Sequence, residues 1–159
     1  MRRGERGRDR RFVAEHRGGV LRREDHRSLA AWAAACAGHV LGLFWDDPED
    51  GRPFHAVRQA EGWARGEVST GTVMRSAYGA HAAARTSVGA ARAAARAAGH
   101  AAATSHMADH SLVAASYALQ AVAQAGADVE RERHWQHRTL PTAVRPLVLD
   151  LGADGVGEA

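Results

Sequence analysis

Between Ala90 and Ala103, ten of fourteen residues are alanine, the others being Arg92, Arg96, Gly99 and His100. No other feature constrains the fold as much. Alanine has the strongest intrinsic preference for the helix, whereas strands favour β-branched and aromatic side chains. The whole chain carries 36 alanines against 9 aromatic residues, so an all-α protein is expected. Methyl side chains also let neighbouring helices approach closely. Arg85, Arg92, Arg96 and His100 follow at intervals of seven, four and four, which places them in one polar stripe with methyl groups over the rest of the surface.

The 159 residues fit one domain, large enough at this size to bury roughly 68–70% of the extended chain's surface. Apolar periodicity predicts about six helices, arranged as antiparallel hairpins in a bundle. The first is capped by Asp25 or Ser28 and carries Leu29, Trp32, Ala33, Cys36, Ala37, Val40, Leu41 and Phe44 at spacings of three and four. An acidic turn, Asp46-Asp47-Pro48-Glu49-Asp50-Gly51, ends it. Pro53 opens the second helix, with Phe54, Val57, Ala60 or Glu61, and Ala64 on its inner face and Gly66 as its stop. Ser69 or Thr70 caps the third, whose Val73, Ala77, Ala80, His81 and Ala84 share a side. The fourth spans about residues 89–106. Asp109 caps the fifth, with Leu112, Ala115, Ser116, Leu119 and Val122 or Ala123 inward and Gly126 at its end. Asp128 caps a charged sixth helix around Trp135, and Pro141 starts a short last segment with Val144, Leu147, Val148 and Leu151.

The formal charge of +3 is concentrated at one end. Residues 1–11 hold six arginines against Glu5 and Asp9, a surplus of four that leaves residues 12–159 at −1. That run has no apolar residue after Met1 and is expected to be a disordered tail, followed by one domain over 12–151 and a loose tail over 152–159. The tail could add weak, salt-sensitive attraction to nucleic acid, but the near-neutral body has no basic recognition helix, so no specific nucleic-acid partner is expected. Cys36 excludes an intramolecular disulfide. The "AAAC" at 33–36 resembles a lipoprotein cleavage box, yet His39 follows it and an acidic-containing leader precedes it, so a cytoplasmic protein without a membrane partner is expected.

His100, His106, Asp109 and His110 crowd around the break between the fourth and fifth helices. The zinc-enzyme pattern H-E-x-x-H is absent, and six residues separate His100 from His106, which turns them apart on a continuous helix. They are expected to be structural junction residues. A helical metal-binding protein using His100, His106 and His110 is the alternative. Ser105, His106, Asp109, His110 and Ser111 contain the residue types of a hydrolase triad, but adjacent residues rarely have triad geometry, and no nucleophile elbow, phosphate loop or dinucleotide motif is present. No enzyme, cofactor or metal is therefore expected.

The stretches "RFVAEHRGGVLRREDHRSLAAWAAACAGHVLGLF", "GWARGEV", "AGHAAATSHMADHSLVAASYALQAV" and "ERHWQHRTLP" together resemble the Imm-5-like family of immunity proteins of bacterial polymorphic toxin systems, over roughly residues 11–149. The resemblance implies an all-α domain that binds and neutralises a cognate protein toxin, and the helical bundle is expected to be a monomer or homodimer. It implies no catalytic residue. Inhibition by surface complementarity needs an interface of about 1,600 Å² with a few buried anchors. The candidate partner-binding residues are Asp46, Asp47, Glu49 and Asp50 of the acidic turn, Arg92 and Arg96 of the stripe, and any exposed tryptophan among Trp45, Trp63 and Trp135.

Overall fold

The computed structural model describes residues 8–45, 47 and 49–150. The chain is an all-α bundle: α1 Arg23–Val40, α2 Arg52–Ala64, α3 Thr70–Arg85, α4 Gly89–Ala103, α5 His110–Gln124, α6 Val129–Thr139 and the five-residue α7 Arg145–Leu149. Short 3-10 turns flank α1 and precede α7, and no strand occurs among the described residues. Consecutive helices from α1 to α6 pack on one another, as helical hairpins do.

The alanine helix is the centre of the bundle. α4 touches α1, α2, α3 and α5, and ten of its fifteen residues are buried, including Ala91, Ala94, Ala98 and Ala101. A helix apolar on almost every side belongs in an interior. At Gly99 α4 comes close to α3: an added Cβ would stand 2.6 Å from Cε1 of His81, so a larger residue there would displace that ring.

The eight-residue stripe predicted on the first helix is buried throughout, from Leu29 to Phe44, with its last turn a 3-10 segment. The start differs. α1 begins at Arg23 without a side-chain cap, and the Asp25 carboxylate accepts from Arg22 Nε instead. Two inner faces are also rotated from the expectation. In α2 the buried residues include Pro53, Ala56, Val57 and Ala60, while Phe54 and Glu61 face outward. In α5 they are Ser111, Ala114, Ala115, Ala118, Ala121 and Val122, with Leu112 and Leu119 at the margin and Ser116 and Ala123 exposed. Both inner faces are made mostly of small residues, which allow close backbone approach between the packed helices.

Gly66 stops α2 with φ of 78°, which favours glycine, and Gly126 ends the α5 segment with φ of 72°. Ser69 accepts from the Thr72 amide and Asp128 from the Arg131 amide, capping α3 and α6 as expected. At the end of the core, Trp32 Nε1 donates to the Gln136 carbonyl at 2.9 Å and Gln136 Nε2 donates to the Ala115 carbonyl at 3.0 Å, tying α1, α6 and α5 together. Of the expected N-terminal tail only residues 8–11 are described, with Asp9 capping a 3-10 turn that buries Phe12. Residues 152–159 and Leu151 lie outside the described residues.

Candidate functional site

The histidines of the α4–α5 junction separate into two groups. His100 Nδ1 lies 2.9 Å from His110 Nδ1, so one ring donates and the other accepts, an arrangement that suits two neutral imidazoles. Tyr117 stacks on His100 with ring centroids 5.3 Å apart, and His81 from α3 meets the same ring edge-on at 4.8 Å. Burial, reinforced by His81, His110 and Arg96, pushes the His100 pKa down to about 4. Burial also lowers those of His81 and His110. His81 Nδ1 is sealed from solvent and has no hydrogen-bond partner among the described residues.

His106 stands apart. It is exposed, and its Nδ1 accepts from Arg17 Nη2 at 3.1 Å. Asp109 occupies the position before α5 but makes no capping bond, because its carboxylate takes Arg8 Nε at 3.0 Å. Among the described residues no three His, Cys, Asp or Glu side chains are placed to hold one metal ion. The member that spacing missed is His81, which joins His100 from a different helix.

Arg92 and Arg96 border a cavity whose walls, among the described residues, include none of the acidic turn. Asp46 lies outside the described residues, Asp47 and Glu49 are exposed, and Asp50 is held by Arg52 through Nη2 at 2.6 Å and Nε at 2.8 Å. That guanidinium keeps the Asp50 carboxyl below its usual range. Arg92 Nε donates to the Ser87 carbonyl at 2.7 Å, and Arg92 and Arg96 border a groove of about 510 Å³ shared with Tyr117, Gln120 and Gln124. Trp45 is 67% exposed, whereas Trp63 and Trp135 are half-buried and Trp32 is core.

A second groove, of about 490 Å³, runs between the end of α1 and α6. On its wall His39 Nδ1 donates to both carboxylate oxygens of Glu132, at 2.8 and 2.9 Å, and Trp135 stacks on the imidazole with centroids 3.6 Å apart. Glu132 is buried and holds the ring so that His39 is presented at the surface beside Arg131 and Arg138. Neither arginine side chain has a partner among the described residues. Glu132 and Trp135 share one face of α6 by their spacing of three. Their pairing with His39 was not legible, because 93 residues separate the partners.

A third site closes the opposite end of α1. A cavity of about 260 Å³ is bordered by Glu15, His16, Arg23, His26, Arg27 and Trp63. His26, 4% exposed, donates from Nε2 to the Thr104 carbonyl at 2.6 Å and leans on Trp63 at 4.8 Å. Trp63 Nε1 donates to Thr70 Oγ1 at 3.0 Å. Three of the four quoted stretches therefore meet here. The first brings Glu15 to Arg27, "GWARGEV" brings Trp63 and Gly66, and the third brings Thr104.

A family model described as Imm-5 like putative immunity protein matches residues 19–143, nearly the whole described bundle. The chain belongs to this Imm-5 like family. Comparison with curated proteins and with solved structures gave no significant match. Within the Imm-5 like region lie the junction histidines, the α1–α6 groove and all of the α1 cavity except the wall made by Ala14, Glu15 and His16. No helix among the described residues is long and apolar enough to cross a membrane.

Proposed function

We propose that the protein binds and neutralises a cognate bacterial toxin by surface complementarity, without chemistry of its own and in the cytoplasm. The observation that carries this is membership of the Imm-5 like family over residues 19–143. The α1–α6 groove is the best-suited contact surface. Interfaces draw most of their energy from a few aromatic and arginine anchors, and this groove combines a half-buried indole with two unpaired guanidiniums. The His39–Glu132 pair and the stack on Trp135 hold that anchor in place before binding, which reduces the ordering cost. Gly42 and Leu43 of its wall lead by sequence into exposed Trp45 and the acidic residues Asp47 and Glu49, which extend the proposed contact. Asp50 and Arg92 are already engaged within the protein and contribute less, while Arg96 stands on the separate α4–α5 groove.

The test is growth rescue. Cells expressing the toxin encoded beside this protein should survive when the protein is co-expressed, and purified toxin should bind it with 1:1 stoichiometry. Trp135→Ala and Arg138→Glu should each weaken binding by about ten- to a hundredfold, as truncation of an interface anchor does. Wild-type protein that neither binds nor protects overturns the proposal.

A further inference from the structure

We infer that the cavity at the N-terminal end of α1 binds a carboxylate carrying an adjacent N–H or O–H donor, the carboxylate resting on Arg27 and Arg23 and the donor on His26 Nδ1. It lies about 20 Å along α1 from the groove at His39 and is a separate site. The argument begins with His26. Its Nε2 donates to the Thr104 carbonyl, which fixes the neutral tautomer and leaves Nδ1 as an acceptor. The residue is more than nine-tenths buried, yet Nδ1 has no partner among the described residues and is not sealed, and His26 lines the cavity.

The cations are equally unspent. Arg23, His26 and Arg27 fall at i, i+3 and i+4 on one face of α1. The Arg27 guanidinium lies over Gly66, where an added Cβ would stand 3.2–3.5 Å from Nη2, Cζ and Nη1. It is half-buried without a hydrogen-bonded acceptor among the described residues, as is the more exposed Arg23. Two guanidiniums and His16 face a single carboxylate, Glu15, so the cavity lacks negative charge. A planar guanidinium takes a carboxylate in paired hydrogen bonds. A volume near 260 Å³ holds roughly eight waters, or one group of amino-acid size.

Such a group could come from a free hydroxy or amino acid, or from an acidic residue of the toxin with its own amide N–H, and this second source rests on the proposed function. Titration of the full chain with lactate, propionate and lactamide, followed by histidine-selective NMR, separates the chemistry. Lactate should shift His26 saturably and bind about tenfold tighter than propionate, which lacks the donor, or lactamide, which lacks the carboxylate. Arg27→Gln, on the half-buried rim, should remove that preference with His26 still hydrogen-bonded to Thr104. If the toxin supplies the group, the free acids leave His26 unmoved and Arg27→Gln weakens toxin binding at least about tenfold. The inference falls if lactate shows no saturable binding up to about 50 mM and Arg27→Gln binds toxin like wild type. That outcome leaves neutralisation intact, whereas a wild-type chain that ignores its toxin removes the proposed function and leaves the lactate arm to decide this site.

Discussion

At the scale of single residues, histidines close together in sequence differ in what they mean for stability. His100 is packed between His81, His110 and Tyr117, and burial holds its pKa at about 4 against 6.5 for the free side chain. The unfolded chain therefore binds a proton that the folded chain refuses, and stability is complete above pH 6.5 and declines as pH falls toward 4. Partial exposure trims the effect to on the order of 2 kcal/mol, which at this size moves the melting temperature by roughly 4–8 °C. A melting profile should fall across that window in wild type, and His100→Gln should make it shallower, the remaining slope coming from His26, His81 and His110, whose pKa values burial also lowers. A wild-type melting temperature constant from pH 7 to 4.5 contradicts this account. His106 is the control, because it is exposed and, among the described residues, its ring hydrogen-bonds only Arg17. His106→Ala should change stability by no more than about 0.5 kcal/mol.

At the scale of elements, packing is decided by how closely α4 can be approached. Cys36 lies on the buried stripe of α1 with no exposed surface, and burial raises its thiol pKa, so it behaves as a small apolar side chain. Cys36→Leu adds volume where the surrounding alanines leave none and should cost about 1–3 kcal/mol, measured by denaturant midpoint. A bulky thiol reagent should label native protein only as fast as it unfolds. The stripe on α1 was legible because Leu29, Trp32 and Phe44 are large enough to announce the inner face, and the Ser69 and Asp128 caps carried their own chemistry. The faces of α2 and α5 were not. Hydrophobicity favoured Phe54, Leu112 and Leu119, but close helix packing selects for size, and small residues, alanine above all, prevail on the buried faces. The candidate sites were hidden for a different reason. His26 meets Thr104 across 78 residues and His39 meets Glu132 across 93, pairings made by topology and not by helical period.

For the whole molecule, charge and fold are carried by different segments. The body after residue 11 sums to −1, and the positive surplus sits in front of it. The boundary is at Phe12, whose buried ring anchors the first turn to the core, while the exposed Arg8–Asp109 pair adds at most about 1 kcal/mol. Removing residues 1–7 takes away Arg2, Arg3 and Arg6 with Glu5 and should leave the melting temperature within about 2 °C. Extending the deletion through Phe12 removes a buried aromatic worth about 1.5–3 kcal/mol and should lower melting by roughly 4–8 °C. Heparin retention separates the two effects. The shorter deletion should elute at lower salt than the full chain, since fewer cations displace fewer counterions. If its elution is unchanged, the polyanion is held by unpaired arginines of the body, Arg23 and Arg27 at one end of α1 and Arg131 and Arg138 beside the other, and Arg23→Gln or Arg131→Gln then lowers the elution salt in place of the deletion.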